Sequence, residues 1–534
     1  MIRLREALEG ARFLATLPRF LRRPITLDEA RATLRHRFRY RADDFLRLAR
    51  EVIFEQPASP YRHLLALAGC EYGDLDGMVR RDGVESALAT LVRHGVYLTV
   101  EEFKGRRPIV RGSRTIVAEP GELRDPAAAA HLSVHSGGSR GTGSPVSIDL
   151  AYVRDRAVDS FLAFDAVGGA GWEHAVWGVP GGSSMVVLLE FAAFAGRVSR
   201  WFSQIDPRLP NLHPRYRWSA RVMRWGSIGA PTRLPSLEYA PLAEPAPILR
   251  WIDAVRRAGR TPHLHTHCSS AVRLCHAAEA AGMRLDGVHF TAASEPTTAV
   301  RLATIRRARA TCWPQYASVE AGVAGRGCLA AEAPDEVHVH EDRLALIQPD
   351  PTDVPPGLTA GSLLTTSLRS TATAVILLNV SMGDVANLDR RRCGCPLERL
   401  GWALHLRDIR SVEKLTAGGM TFLDTDVIRV LEEVLPGQFG GGPTHYQLVE
   451  EEDADGRPDL RLLVDPAIGP LASEAVAEAF LSAISTGHGA HLLMSLAWHD
   501  ARLLRVERRA PFVTASGKIL HLHASRRQPE EPRR

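Results

Sequence analysis

The run His131-Leu-Ser-Val-His-Ser-Gly-Gly-Ser-Arg-Gly-Thr-Gly-Ser-Pro145 carries the reading of this chain. An apolar stretch, His131–Val134, leads into a loop with four glycines and four hydroxyl residues. Backbone N–H groups in such a loop, with the hydroxyls beside them, wrap an anionic phosphate chain. It is not a Walker loop, because no Gly-Lys-Ser/Thr follows. Gly137-Gly-Ser-Arg-Gly141 also fits the Gly-x-Ser-x-Gly pattern of a hydrolase nucleophile elbow, which needs a helix directly after its serine. Here the loop runs on into Val146-Ser-Ile-Asp149, which reads as extended. Taken alone, the segment also fits a surface loop.

Outward from this loop, composition sets bounds. The chain has 534 residues, 45% hydrophobic and 24% charged, which excludes disorder as a whole-chain description. Its length predicts about two to four domains. A net charge of +5 is too slight to argue for nucleic acid or a membrane surface. Seven cysteines, odd and sparse, do not make a disulfide scaffold. Of 66 basic residues only Lys104, Lys414 and Lys518 are lysines. Where arginine serves for nearly every positive charge, a retained lysine points to a need for a compact, tunable ammonium.

Residues Met1–Arg23 form a basic amphipathic stretch without the apolar core of a signal peptide. The apolar run Met185–Ala195 is broken by Glu190 and too short to span a bilayer, so it reads as a buried helix. The expectation is a cytoplasmic protein with no membrane span. Leu/Ala periodicity predicts helices through Leu27–Ile53 and Val84–Val100, with short strands and turns from Lys104 to Asp125. From His131 to about Ala310, strand, loop and helix alternate as in an α/β layer. Strands are predicted over Glu336–Ile347, Gly361–Thr366 and Ala374–Val380. A boundary near Leu406–Val412 precedes a compact α+β unit with helices at Val427–Val434 and Ser473–Ile484. Its strands are predicted at Tyr446–Glu451, Leu460–Val464 and Leu503–Arg508. The tail, residues 526–534, reads as disordered.

Three further segments bear chemistry. Thr514-Ala-Ser-Gly-Lys518-Ile519 sets a rare lysine on a Ser-Gly turn ahead of a predicted strand, Ile519–His523. That turn either delivers an ammonium to a reacting oxygen anion or is a solvated hairpin. Cys328, His338, Cys393 and Cys395 supply three thiolates and an imidazole, a set that zinc accepts as a closed tetrahedral site, provided the fold joins them. The alternative is two turn cysteines and a solvent-facing histidine. In His263-Leu-His-Thr-His267, alternation puts the three imidazoles on one strand face with no local carboxylate. That segment therefore reads as a pocket wall, with His265, His267 and Ala293 lining it.

Together the glycine-rich loop and the terminal Thr-Ala-Ser-Gly-Lys-Ile resemble the adenylate-forming superfamily of acyl-CoA synthetases, adenylation domains and luciferases. Four intermediate segments fall in the order that family shows: Ala293-Ser-Glu-Pro296, Tyr316-Ala-Ser-Val-Glu320, Ser381-Met-Gly-Asp384 and Arg410-Ser-Val-Glu413. Leu364-Thr-Thr-Ser-Leu368 and Cys393-Gly-Cys395-Pro396 resemble the phenylacetate-CoA ligase branch. The resemblance implies a large N-terminal α/β domain, with a helix-rich segment at 1–125 and a core at 126–406. It further implies a hinge at 407–413 and a small mobile α+β domain at 414–525.

The implied reaction activates a carboxylic acid with ATP to an acyl-adenylate, then passes the acyl group to a thiol such as CoA, releasing AMP. By this resemblance Ser136, Gly137, Gly138, Ser139, Gly141, Thr142 and Gly143 hold phosphates. Ser294, Glu295, Pro296 and Tyr316 lie about the adenine, Asp384 takes the ribose, and Arg410 belongs to the nucleotide site. Glu320 is implied to bind Mg²⁺, Lys518 to act on the reacting oxygens, Glu413 to turn the hinge, and Gly418-Gly419 to lie on the thiolation face. Some relatives in the branch carry a structural zinc at positions matching the cysteine set. Departures from the pattern are Val319 for a threonine, Ala317 for a glycine, Ser144 for a loop lysine, and Leu378-Asn-Val380 for an arginine-containing stretch. Three readings follow: an acid–thiol ligase; adenylation with an amine, a carrier-protein thiol or direct adenylyl transfer; and a non-catalytic nucleotide-binding protein. The acid is not legible, although Trp177–Ser184, His263–Ser269 and Ala292–Glu295 are its expected walls. Oligomeric state is open.

Overall fold

The structure, a computed structural model, describes residues 2–135, 145–204, 206–208, 215–295, 297–411, 416–417, 420–421, 424–452, 458–485, 504–513, 519 and 521–525. The phosphate loop from Ser136 to Gly143, Pro296, Glu413, Gly418-Gly419, Lys518 and the tail 526–534 lie outside the described residues. Among the described residues, no helix is long and apolar enough to cross a membrane. The described residues form two compact units: one of residues 2–135 and 145–297 together with Ile305–Ile409, the other of Thr298–Thr304 and those from Arg410 on.

The larger unit is built on a twelve-stranded mixed sheet. Its parallel half runs in the spatial order Leu237–Tyr239, Arg197–Ser203, Glu173–Gly178, Pro262–His267, His289–Ala293, Thr311–Ser318. Each crossover is long enough for a helix, as parallel strands require. Helices Gly182–Ala193, Ala246–Arg257 and Cys268–Ala280 lie within these crossovers. The central strands are buried on both faces. Beyond Thr311–Ser318 the sheet turns antiparallel through Gly322–Gly327 and Val337–Val339, then continues through Leu404–Ser411, Val380–Arg390, Ser362–Ser367 and Leu344–Ile347.

The first hundred residues are helical, from Ile2–Leu21 to Val84–Arg93. Thr26 caps the second helix by accepting from the Glu29 N–H at 3.2 Å. Leu17, Leu34, Phe45, Leu65 and Leu88 pack into one apolar core with Val153, Leu188 and Val380. Within the basic N-terminal stretch, helix Ile2–Leu21 is thus packed, burying Phe13, Leu17 and Leu21. A buried ion network ties this segment to the sheet. The Arg37 guanidinium, 2% exposed, donates to Asp159 at 2.6 Å, Asp155 at 2.8 Å and Asp342 at 3.0 Å.

One predicted strand is displaced. Ala374–Val380 is apolar and buried, but it is a loop whose backbone is satisfied by Leu123 O and Ser367 Oγ. The strand begins at Val380 and continues to Arg390, carrying Asp384 within it. Leu404–Ser411 is likewise a continuous strand through residues 407–411.

The smaller unit has a four-stranded sheet in the order Leu504–Arg508, Pro458–Val464, Tyr446–Glu452, Leu522–Ser525. Helix Ser473–Ser485 and the helical run from Asp424 to Phe439 cover it, burying Val427, Leu431, Tyr446, Leu462 and Phe480. The final strand lies at Leu522–Ser525, a few residues later than Ile519–His523.

Candidate functional site

In an open α/β sheet the ends of the parallel strands that carry the following loops form the natural binding crevice. The roots of the glycine-rich loop reach this edge. Leu132–His135 and Pro145–Ile148 pair antiparallel, closing with His135 opposite Pro145. A hairpin strand at Pro145–Ile148, rather than a helix, is incompatible with the hydrolase elbow. Val134 packs against Gly182, where a Cβ would lie 2.5 Å from Val134 Cγ2. Glycine there lets the loop root sit against the helix that follows Glu173–Gly178.

Three sequence-predicted residues converge at the last parallel strand, each placed by a local irregularity. Tyr316 lies near the end of Thr311–Ser318, beside a bulge at Tyr316/Ala317. Asp384 lies in a second bulge: Ser362 faces Val385 while Leu364 faces Ser381, so the longer strand has two extra residues there. Gly383 takes φ +81° within it. Bulges re-aim side chains, and here they turn Tyr316 and Asp384 to each other. The Tyr316 phenol donates to Asp384 Oδ2 at 2.9 Å. Burial, then the adjacent Asp384 charge, hold this phenol protonated well above the ordinary tyrosine range.

Glu320 stands in the tight turn between Thr311–Ser318 and Gly322–Gly327. Gly322, at φ +76°, permits that turn, since a Cβ would meet the Tyr152 hydroxyl at 2.3 Å. Glu320 is 5% exposed, and its Oε1 accepts from Lys104 Nζ at 2.9 Å. Lys104 is one of only three lysines in the chain, and its partner is 216 positions away in sequence.

The other residues predicted from sequence take varied places. Ser294 has a left-handed backbone at φ +69°. Glu295 turns to the first turn of helix Cys268–Ala280, accepting from the Ser269 N–H at 2.7 Å and its hydroxyl at 2.8 Å. His267 and Ala293 end adjacent parallel strands and are paired in register. His265 lies beside Glu190 and Arg326, and burial pushes its imidazole down to about 3. It is therefore a neutral hydrogen-bonding group at pH 7. His263 is fully buried, hydrogen-bonded to His174 and to Thr291. Trp177 is a core residue: it is fully buried, donates to Ala240 O at 2.9 Å and packs with Ile248 and Ile252. Arg410 is half-buried near the end of Leu404–Ser411.

The cysteine set comes together. The ligand atoms of Cys328, His338, Cys393 and Cys395 lie within 4.8 Å of one another. Four donors on a tetrahedral zinc lie roughly 3.3–3.8 Å apart, given bond lengths of about 2.0–2.3 Å. His338 Nδ1 is held to Trp402 O at 2.7 Å, which turns Nε2 toward Cys395 Sγ at 3.1 Å and Cys393 Sγ at 3.6 Å. Such a carbonyl contact fixes the tautomer of a metal-binding imidazole. Gly394 takes φ +73° between the two cysteines, and Glu398 accepts from the N–H groups of Cys393 and Gly394. The neighbouring Cys328 thiol is the largest influence holding the Cys395 thiol far below the usual range.

No family model matches the chain, and no curated protein matches it. Solved structures similar to it include a 2-hydroxyisobutyryl-CoA ligase in complex with 2-HIB-AMP and CoA. That match has 14% identity, covers 91% of this chain and 89% of that one, and has a TM-score of 0.46. Others are o-succinylbenzoate coenzyme A synthetase from Bacillus subtilis with AMP (13%, 74% and 68%, TM-score 0.41) and the anthranilate CoA ligase AuaEII with anthranoyl-AMP (13%, 86% and 79%, TM-score 0.40).

Proposed function

We propose that this chain activates a small carboxylic acid with ATP, forming an acyl- or aryl-adenylate and pyrophosphate, and then transfers the acyl group to CoA with release of AMP. The observation that carries the reading is the convergence of Tyr316, Glu320 and Asp384 at the loop-bearing edge of the parallel sheet, in the motif order of adenylate-forming enzymes. A carboxylate has room for several hydrogen bonds, so Asp384 accepts from a ribose diol while holding the Tyr316 phenol. Glu320 offers the carboxylate that Mg²⁺ takes together with phosphate oxygens. The charge of Lys518 is assigned to the reacting oxygens of the first step. Glu413 is the proposed hinge within residues 407–413, between a domain ending at 406 and a small domain at 414–525. The phenylacetate-CoA ligase branch is the favoured placement, on Leu364–Leu368 and the Cys393–Pro396 turn. A cytoplasmic setting is in keeping with seven unbridged cysteines. The test is acid-dependent ATP–pyrophosphate exchange over a panel of aryl, acyl and amino acids, followed by CoA-dependent AMP release. Exchange without thiol-dependent AMP release moves the acceptor to an amine, a carrier protein or direct adenylyl transfer. ATP binding without exchange leaves a nucleotide-binding protein.

Cys328, His338, Cys393 and Cys395 are the proposed ligands of a structural Zn²⁺, which closes the end of the antiparallel half of the sheet. Elemental analysis of the purified protein is expected to find one zinc per chain. Stripping it with a strong chelator lowers the melting temperature by about 5–10 °C, and Cys393→Ser does the same without chelator. Sub-stoichiometric zinc, with melting insensitive to chelator, rejects the site.

A further inference from the structure

We propose that Lys104 is the resident counter-charge of Glu320, and that a divalent cation reaches this carboxylate only by displacing the ammonium. The inference rests on the reading of Glu320 as the magnesium carboxylate and adds to it a residue from the N-terminal segment. Lys104 Nζ lies 2.9 Å from Glu320 Oε1, the two side chains being 16% and 7% exposed. The pair joins residues 216 positions apart, so the fold makes it and local sequence does not.

The backbone that carries Lys104 is held at several points. Thr99 caps the short helix Val100–Phe103 in a reciprocal box with Glu102, and Lys104 is the residue that ends it. Arg111 donates to Glu102 and to the carbonyls of Gly95 and Tyr97. Asn379, in the stretch where the family carries an arginine, takes φ +50° and donates to Leu88 O and Val96 O, both at 3.0 Å. Leu98 bridges to Val380, at the head of the strand that bears Asp384. The same strand thus sets both Asp384 and the approach of Lys104.

Residue choice separates a counter-charge made to be displaced from a purely structural ion pair. A structural pair on a buried carboxylate is best made by arginine, whose fork binds both oxygens. This chain has 63 arginines and three lysines, yet places a lysine here. An ammonium makes a single-point contact on a flexible stem and is readily exchanged. With Lys104 in place the pair is neutral, and a bare divalent ion entering beside it meets a like charge. An ion arriving with a triphosphate brings the negative charge that lets the ammonium let go. Metal capture is thereby tied to nucleotide arrival.

The experiment is a Mn²⁺ titration of the full-length protein without nucleotide, read by the loss of the free-ion EPR signal. Lys104→Met is expected to bind Mn²⁺ at least about tenfold more tightly than the parent protein. Lys104→Arg and the double variant Lys104→Met/Glu320→Gln are expected to show no gain. Lys104→Gln, which keeps a donor to Glu320 without the charge, serves if the methionine variant does not fold. Equal affinity in the parent and Lys104→Met, a gain that survives Glu320→Gln, or no Mn²⁺ uptake by any variant overturns the proposal. Acid-dependent exchange in the parent protein separates the two failures. If exchange is present and the gain absent, the counter-charge idea alone falls; if exchange is absent with every acid, the adenylation reading falls, whether or not ATP binds.

Discussion

Acid-dependent exchange of pyrophosphate into ATP falls by about 10²–10³-fold in Lys518→Ala and by about 10–10²-fold in Asp384→Ala. The two losses differ in kind. Lys518 is assigned to charge that develops on oxygen as the carboxylate attacks the α-phosphate. Removing it lowers the maximal rate and leaves the KM for ATP within a few-fold. Lys518→Arg does not rescue it, because a planar fork does not replace a compact point charge. Asp384 is proposed to hold a part of the nucleotide that does not react. Its loss appears mainly as a raised KM for ATP, and it also leaves the half-buried Tyr316 phenol, whose hydroxyl donates to it at 2.9 Å, without that acceptor. Tyr316→Phe in the Asp384→Ala background therefore costs little further. Exchange that persists in both single variants removes these residues from the site.

The parts of this molecule that local pattern dictates were legible from the sequence. Strand and helix periodicity located the parallel layer, whereas the Gly-rich and Ser-Gly segments lie outside the described residues. Residue type alone flagged Cys328, His338, Cys393 and Cys395, which the fold then brings within 4.8 Å of one another. The Ala374–Val380 run shows the limit of pattern. Its apolar residues are buried as a strand's are, but they are buried as a loop, and periodicity does not distinguish the two. Gly383 lies in a bulge inside a strand, a placement that its local sequence does not indicate. Glu295 was assigned by its motif to the nucleotide, while its carboxylate caps a helix through Ser269, a partner 26 residues away that no local spacing indicates.

Partners of charged groups are the least legible feature, since they are set by topology. Lysine scarcity singled out Lys104, yet only the fold supplies Glu320. Arg37 is a stronger case. In a chain with 63 arginines nothing in its neighbourhood distinguishes it, and its acidic partners lie 118 to 305 positions away.

That network yields the largest expected effect on stability. Arg37→Met lowers unfolding stability by about 3–5 kcal/mol, because it leaves buried carboxylates short of one positive partner. In the native cluster Arg37, Arg343 and Arg369 face Asp155, Asp159 and Asp342. Burial is the largest influence on Asp155, but the nearby arginines outweigh it and hold this carboxyl down to about 2. Burial, with Asp342 beside it, instead pushes Asp159 up to about 7. Removing Arg37 takes away the charge that most opposes that rise. A carboxyl whose folded pKa lies above its unfolded value supports the fold below the unfolded pKa, near 4, and loses that support as pH climbs through the folded pKa. The deficit of Arg37→Met is therefore smaller at pH 5, where Asp159 carries a proton in both proteins, and larger at pH 8, where the parent's Asp159 is ionised beside Arg37 while the variant's must take up a proton. Urea denaturation of both proteins at the two pH values measures this directly. A deficit below about 1 kcal/mol would mean that the network contributes no more than exposed ion pairs do. A deficit independent of pH would mean that Asp159 does not take up the proton when Arg37 is removed.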